Sequence, residues 1–395
     1  MNTNARTLRI AHSSHGKFHH QDLARQLYRL GVLDTFFTGY PRFKLKTLGV
    51  PENKLRTFPV LEVAYHAGLR YGLLKGRVKR ELEWRKHENF DRAVARYMPA
   101  VDAYIGLSCA SLYAGQAVQR QGGLYLCDRG SSHILTQNTL LAEEDDRQGI
   151  KYHSIDPRVL EKEQHEYATA DAILVPSEFA RRTFIAEGIP ESKLRKVPYG
   201  VDLDRFKPVG TPAAGTFEVL FVGSVSPRKG VSDLLKAYAA VSHPDKHLRF
   251  VGAVSGALRP VLELAQRADA SIDVLGPYPQ GRLPEIMSRS HVLVLPSIED
   301  GFGLVQAQAM ACACPVLATS NTGAEDLFTD GVEGFIVPIR SPDILAERLQ
   351  YLADNPEQRQ QMSQAALQRV QRIGGWDQYG ANIVATVNEV LDARK

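Results

Sequence analysis

Cysteine is scarce in this sequence, with four in 395 residues: Cys109, Cys127, Cys312 and Cys314. That is too few for a disulfide scaffold and fits a reducing compartment. Long apolar runs are missing as well. Stretches such as Val292 to Leu295 fall far short of the ~20 residues a membrane-spanning helix needs. The opening MNTNARTLRIAHSS has no apolar signal core, so a cytoplasmic location is expected. There is no short repeat and no low-complexity tract. No strand is followed by G-x-G-x-x-G, which disfavours a dinucleotide oxidoreductase. A net charge of +4 gives no reason to expect a nucleic-acid partner. What remains is an average soluble composition, 44% apolar and 23% charged, over a length that suggests two or three domains.

The charge is unevenly spread. Residues 41–100 hold fourteen Lys/Arg and six Asp/Glu, a net of +8, so the rest of the chain sums to −4. Within residues 70–86, Leu73, Leu74, Val78, Leu82 and Trp84 are interleaved with Lys75, Arg77, Lys79, Arg80, Arg85 and Lys86. Two readings stand. One is an amphipathic helix in peripheral contact with a membrane at the inner face, or with another anionic surface. The other is a solvated helix whose apolar side packs into its own domain.

Short β-rich runs alternate with longer helical patterns. Leu8–Ala11, Asp34–Phe37, Ala103–Gly106, Leu124–Leu126 and Ala172–Val175 form one series. A second restarts at Glu218–Val222 and continues through Leu248–Val251, Ile272–Leu275, Val292–Leu295, Val316–Ala318 and Phe335–Val337. Strands this short and apolar on both faces suit a parallel sheet covered on both sides. Two series predict an α/β protein of two Rossmann-like, doubly wound domains. The stretch 207–216, rich in Pro, Gly and small residues, reads as the linker. It divides an N-terminal domain, 1–206, from a C-terminal domain, 217–375. A last helix, 376–395, either stays with the second domain or crosses back to the first.

The segment from Leu295 to Leu327 carries the most chemistry. A strand ends at Leu295, a loop holds Glu299, Asp300, Gly301, Phe302 and Gly303, and a helix opens near Leu304. Open α/β sheets bind ligands at such strand ends. Unpaired amides at a helix start, helped by the dipole, favour an anion there. Gln308 lies one turn after Leu304 and shares its face. The loop after the first strand of the second domain ends in Arg228-Lys229-Gly230. An Arg fork beside a Lys point charge suits phosphates. Both loops should open on one edge of one sheet.

Several pieces together resemble the family 4 glycosyltransferases. They are Pro296-Ser297, Asp300-Gly301-Phe302-Gly303-Leu304, Gln308-Ala309-Met310-Ala311-Cys312-Ala313-Cys314-Pro315-Val316, Pro198-Tyr199-Gly200-Val201-Asp202 and Arg228-Lys229-Gly230. The resemblance is dense from about 160 to 390 and diffuse before that. It implies the GT-B fold, two Rossmann-like domains facing across a cleft. It also implies retaining transfer of a hexose-type sugar from a nucleotide-diphosphate donor to a glycan or lipid-linked acceptor, with no metal and no cofactor. Carried over by residue, Arg228, Lys229 and the amides of Gly303 and Leu304 would hold the donor diphosphate, in the loop that also contains Phe302. Asp300 would sit near the sugar hydroxyls and Gln308 near the ribose. Gly16 matches a loop that lets the backbone approach the diphosphate. His133, after a first-domain strand, would contact the donor sugar, with Asp128 and Arg129 as neighbouring candidates.

The sequence departs from the family at three places. Its paired glutamates are Asp300 and Gln308, a frequent arginine is Ser224, and a glycine is Ala313. These leave open a nucleotide-sugar epimerase on a related fold, or a non-catalytic nucleotide-sugar-binding protein. His12, His15, His19 and His20 invite a metal reading, but no acidic or Cys partner is expected to complete a ligand set, and the Gly16 loop accounts for the segment better.

Overall fold

The protein is described by a computed structural model covering residues 8–16, 19–151 and 155–394. Its first sheet contains β1 (Ile10–Ser14), β2 (Leu33–Thr38), β3 (Leu55–Thr57), β4 (Ala103–Leu107), β5 (Leu124–Asp128), β6 (Ala172–Val175) and β7 (Leu194–Lys196). The second contains β8 (Phe217–Val222), β9 (Lys246–Val251), β10 (Ile272–Gly276), β11 (Val292–Leu295), β12 (Val316–Thr319) and β13 (Gly334–Val337). The spatial orders are β3-β2-β1-β4-β5-β6-β7 and β10-β9-β8-β11-β12-β13, and every pairing is parallel. Strand order reverses beside β1 in one sheet and beside β8 in the other. A crevice opens outside the carboxyl ends of the strands at such a reversal. The expected two-lobed, doubly wound architecture is therefore the one observed.

Central strands β6, β11 and β12 are buried along their whole length, so their apolar runs have helices on both faces. The short edge strands β3 and β7 do not stand out in the sequence. Each has three residues, and Arg56, Arg195 and Lys196 occupy them. Charge on an edge strand discourages pairing with another chain.

The helix Trp376–Ala393 leaves the second lobe and packs on the first-lobe helix His20–Arg29. Its Gly380 lies so close to Gln26 that a Cβ would stand 2.4 Å from the Gln26 Cβ. Val201 bridges to Gly375 where the chain crosses.

Residues 70–86 do not form one helix. A helix Val60–Arg70 ends, Tyr71 to Lys75 form a connector, and a second helix runs Gly76–Arg96. Gly72 and Gly76 take φ of 67° and 50°, which breaks the helical path. Lys86 faces inward, 3.1 Å from Glu62 and over the Tyr65 ring. Among the described residues, no helix is long and apolar enough to cross a membrane.

Candidate active site between the lobes

A cleft of about 1370 Å³ separates the two lobes. That exceeds the ~300–1,000 Å³ of a typical small-molecule pocket. The second lobe presents Arg228, Asp300, Phe302, Gly303, Leu304 and Gln308 to it. The first presents His15, His19, Arg25, Lys79, Arg80 and Trp84 among others.

The cationic turn is stitched to the loop that follows β11. Pro227–Lys229 form a single 3-10 turn, and Gly230 then takes φ 64° and starts the helix Val231–Ala240. A Cβ on Gly230 would stand 1.8 Å from the Pro296 carbonyl oxygen, so only glycine allows this approach. The Ile298 amide donates to the Arg228 carbonyl at 2.9 Å. Two loops far apart in sequence thus become one rigid wall.

Asp300 lies at its centre. The Lys229 ammonium pairs with Asp300 Oδ2, and the Gly303 amide donates to Oδ1 at 3.1 Å. Burial alone would raise the Asp300 carboxyl, but Lys229 and Arg228 outweigh it and hold it below the usual range. Gly303 caps the helix Leu304–Ala311 in the left-handed conformation, φ 66°. Gln308 is half-buried on that helix and faces the cleft. Phe302 is buried, its ring edge-on to Tyr199 at 5.2 Å. Of the expected residues, Arg228, Asp300, Phe302, Gly303, Leu304 and Gln308 therefore line one wall, and Lys229 joins it through its pair with Asp300. Gly16 lies just after β1, with the Ser14 hydroxyl donating to its carbonyl at 3.1 Å, and is not among the residues lining the cleft.

His133 is placed differently from the expectation that it contacts the sugar. It caps the helix Ile134–Arg147, its Nδ1 accepting from the Leu135 amide at 3.3 Å. Its ring lies between Tyr167 and Phe184, at 5.0 and 4.9 Å, and it is absent from the cleft wall. His133 thus closes a helix end inside the first lobe. Arg129, the neighbouring candidate, is tied down by Glu163 at 2.9 Å, the Ser132 carbonyl at 3.0 Å and Gln137 Oε1 at 2.9 Å.

Histidines that do line the cleft are His15, His19 and His87, of which His19 is the most closely tied to the strand ends. Its Nε2 lies 2.9 Å from Asp128 Oδ2, and its ring stacks on Tyr199 at 4.1 Å. His20 Nδ1 is 3.6 Å from the same carboxylate oxygen. Asp128 is thus the acidic partner that the histidine segment itself lacks. The ligand atoms of His19, His20 and Asp128 lie within 4.8 Å of one another, a spacing that suits a metal as well as a hydrogen-bonded cluster. Both nitrogens of His12 are engaged, by the Ile105 carbonyl at 2.9 Å and the His20 carbonyl at 3.2 Å. Burial lowers His12 to about 4 and His19 to about 3, so both rings are neutral near pH 7.

With this geometry in view, comparison with known proteins is informative. Residues 204–369 match the family model described as glycosyl transferases group 1. Over that stretch, most of the second lobe, the chain is similar to the group 1 glycosyltransferases. It is 29% identical over 302 residues to a D-inositol 3-phosphate glycosyltransferase of Nocardiopsis dassonvillei, covering 71% of this chain and 66% of that one. A protein of the same name from Thermomonospora curvata is 28% identical over 305 residues, covering 70% and 67%. The chain therefore spans about two thirds of the length of these curated relatives. The fold is similar to that of sucrose-phosphate synthase from Thermosynechococcus elongatus, with a TM-score of 0.74, 20% identity and coverage of 98% and 100%. It is also similar to Anabaena HepE in complex with UDP-glucose, with a TM-score of 0.68, 16% identity and coverage of 97% and 100%.

One residue of this site was not singled out from sequence. Glu299 is fully buried beside Asp300, and it joins the lobes. Its Oε1 accepts from the Ser131 hydroxyl at 2.6 Å and from the Ser132 hydroxyl and amide at 2.8 and 3.1 Å. Its Oε2 accepts from Gln137 Nε2 at 2.9 Å and faces Arg228 Nη1 at 3.3 Å. Burial works against its charge, but Arg228 and these donors hold its carboxyl below the usual range. No local pattern reveals this, because every partner is distant in sequence.

Proposed function

We propose that this protein is a glycosyltransferase that moves a hexose-type sugar, with retention, from a nucleoside-diphosphate donor to a glycan or lipid-linked acceptor, without a metal. The observation that supports this best is the single wall formed by Arg228, Asp300 and the start of the helix Leu304–Ala311, with Lys229 paired to Asp300. Arg228 and Lys229 bring two cations to where negative charge grows on the leaving diphosphate, which is stabilisation specific to the transition state. The helix start adds its amides and dipole. Asp300 is a carboxylate poised beside the cations, and it is freed for the sugar hydroxyls when the diphosphate draws Lys229 away. Gln308, one turn into the helix, offers its amide to the ribose. The first-lobe wall, with His15, His19, Lys79 and Trp84, takes the acceptor.

The exposed residues of the Tyr71–Lys75 connector and the helix that follows suit contact with an anionic membrane surface. That would bring a lipid-linked acceptor to the cleft mouth, where Lys79 and Arg80 stand.

A thermal-shift screen with UDP, GDP and ADP and their sugars tests the donor reading. One nucleotide series should raise the melting point by several degrees, because a ligand that prefers the folded state stabilises it. No shift with any nucleoside diphosphate at millimolar concentration contradicts it.

A further inference from the structure

Arg228 carries more of the donor site than its own loop can fix. It is partly exposed, and it sits at the mouth of a cleft where a free Arg side chain would sample many rotamers. One buried group restrains it. We propose that Glu299 is a positioning residue that holds Arg228 in its diphosphate-binding pose, and that the first lobe sets this pose through Ser132 and Gln137. The proposal rests on the donor-site reading above and adds to it a dependence of the donor site on the opposite lobe.

The arrangement has three layers. The outermost is Glu163, which pairs with Arg129 at 2.9 Å. Arg129 holds the Ser132 carbonyl at 3.0 Å and accepts no freedom in Gln137, whose Oε1 it takes at 2.9 Å. That contact decides which way the Gln137 amide points, and leaves its Nε2 to donate to Glu299 at 2.9 Å. The middle layer is the Glu299 carboxylate. Ser131 and Ser132 donate to one oxygen, while Gln137 and Arg228 share the other. The innermost layer is Arg228 itself, tethered through Nη1 with its remaining N–H groups left for a ligand.

A carboxylate beside a diphosphate site would repel the ligand if it stood alone. Glu299 does not stand alone. Four hydrogen bonds from the first lobe neutralise much of its field, so its contribution to Arg228 is direction rather than repulsion. A group fixed before binding has less freedom to lose on binding. Glu299 touches neither end of the cleft directly and acts only through Arg228.

The test measures inorganic pyrophosphate binding to the full chain by calorimetry, with melting curves to verify folding. Glu299→Gln keeps the shape and one acceptor oxygen but removes the charge that holds Arg228. It is expected to weaken pyrophosphate about fivefold. Arg228→Ala is expected to weaken it about tenfold, and the double variant no further than Arg228→Ala alone. Ser132→Ala, a buried residue outside the cleft wall, should weaken binding two- to threefold, and this effect should vanish in the Glu299→Gln background. Additive losses, or Glu299→Gln binding as tightly as the parent, would overturn the positioning role while leaving the donor site intact. Unchanged binding in both Arg228→Ala and Lys229→Ala would overturn the donor reading and this inference together.

Discussion

Ala313 shows how one side chain departs from what its backbone asks. The helix Leu304–Ala311 ends in a Schellman motif: the Cys314 amide donates to the Ala309 carbonyl at 2.9 Å and the Ala313 amide to Met310 at 3.0 Å. That motif needs a left-handed residue at its turn, and Ala313 has φ 57°. The sequence alone flags Ala313 as standing where the family has glycine, and the backbone gives the reason. Ala313→Gly is expected to stabilise the fold by about 1 kcal/mol, because the left-handed strain is removed at a modest entropic cost. A higher urea midpoint with an unchanged slope would show it, and a lower midpoint would contradict it. His133 teaches the opposite lesson. A histidine after a strand looks available for catalysis, yet its position depends on Tyr167 and Phe184, which arrive from other helices. The reach of His19 into the cleft depends likewise on Asp128, over a hundred residues away. Contacts of that range leave no trace in local spacing.

Among elements, the buried strands were the most legible. Runs such as Ala172–Val175 and Val292–Leu295 are apolar throughout, and their observed bounds coincide with the runs. The three-residue edges β3 and β7 were not legible, since pairing on one side alone asks little of side chains. Residues 70–86 were half legible. Their mixture of apolar and basic residues is visible in sequence, but not which of them turn inward. Leu74 meets Gly68, and Trp84 lies under Arg158 and Lys162. Tyr71, Leu73 and Val78 stay outside, 72%, 74% and 63% exposed, beside Lys75, Arg77 and Lys79. This connector is expected to hold the protein on phosphatidylglycerol vesicles at low ionic strength and to release it near 0.5 M salt, where the Debye length is about 4–5 Å. Co-sedimentation over a salt series measures it. Equal retention on neutral phosphatidylcholine vesicles, or none on either, would contradict it.

Over the whole molecule, buried histidines set the response to acid. Burial lowers His19 and His87 to about 3, and His12 and His133 to about 4. In the unfolded chain each returns to about 6.5. Below that value the unfolded chain binds more protons than the native one, so their contribution is fully present above pH 6.5 and is lost as pH falls towards the folded values. Each histidine costs up to about 1.4 kcal/mol per pH unit in that window. Glu166, its carboxyl pushed up to about 8 by burial, takes up its proton in the native state first and offsets part of this loss. With four histidines against one carboxyl, the melting temperature is expected to fall by about 3 °C between pH 7.5 and 5.5. A flat profile down to pH 5 would contradict the neutral, buried state of these rings.

The two lobes enclose a cleft whose proposed chemistry rests on the cationic turn after β8. Turnover of the Lys229→Ala variant, measured with the nucleotide sugar selected by thermal shift, tests this most directly. A folded variant slowed at least about tenfold, equivalent to ~1.4 kcal/mol or more of lost charge stabilisation, is the predicted result. A folded variant with the parent's rate would contradict it.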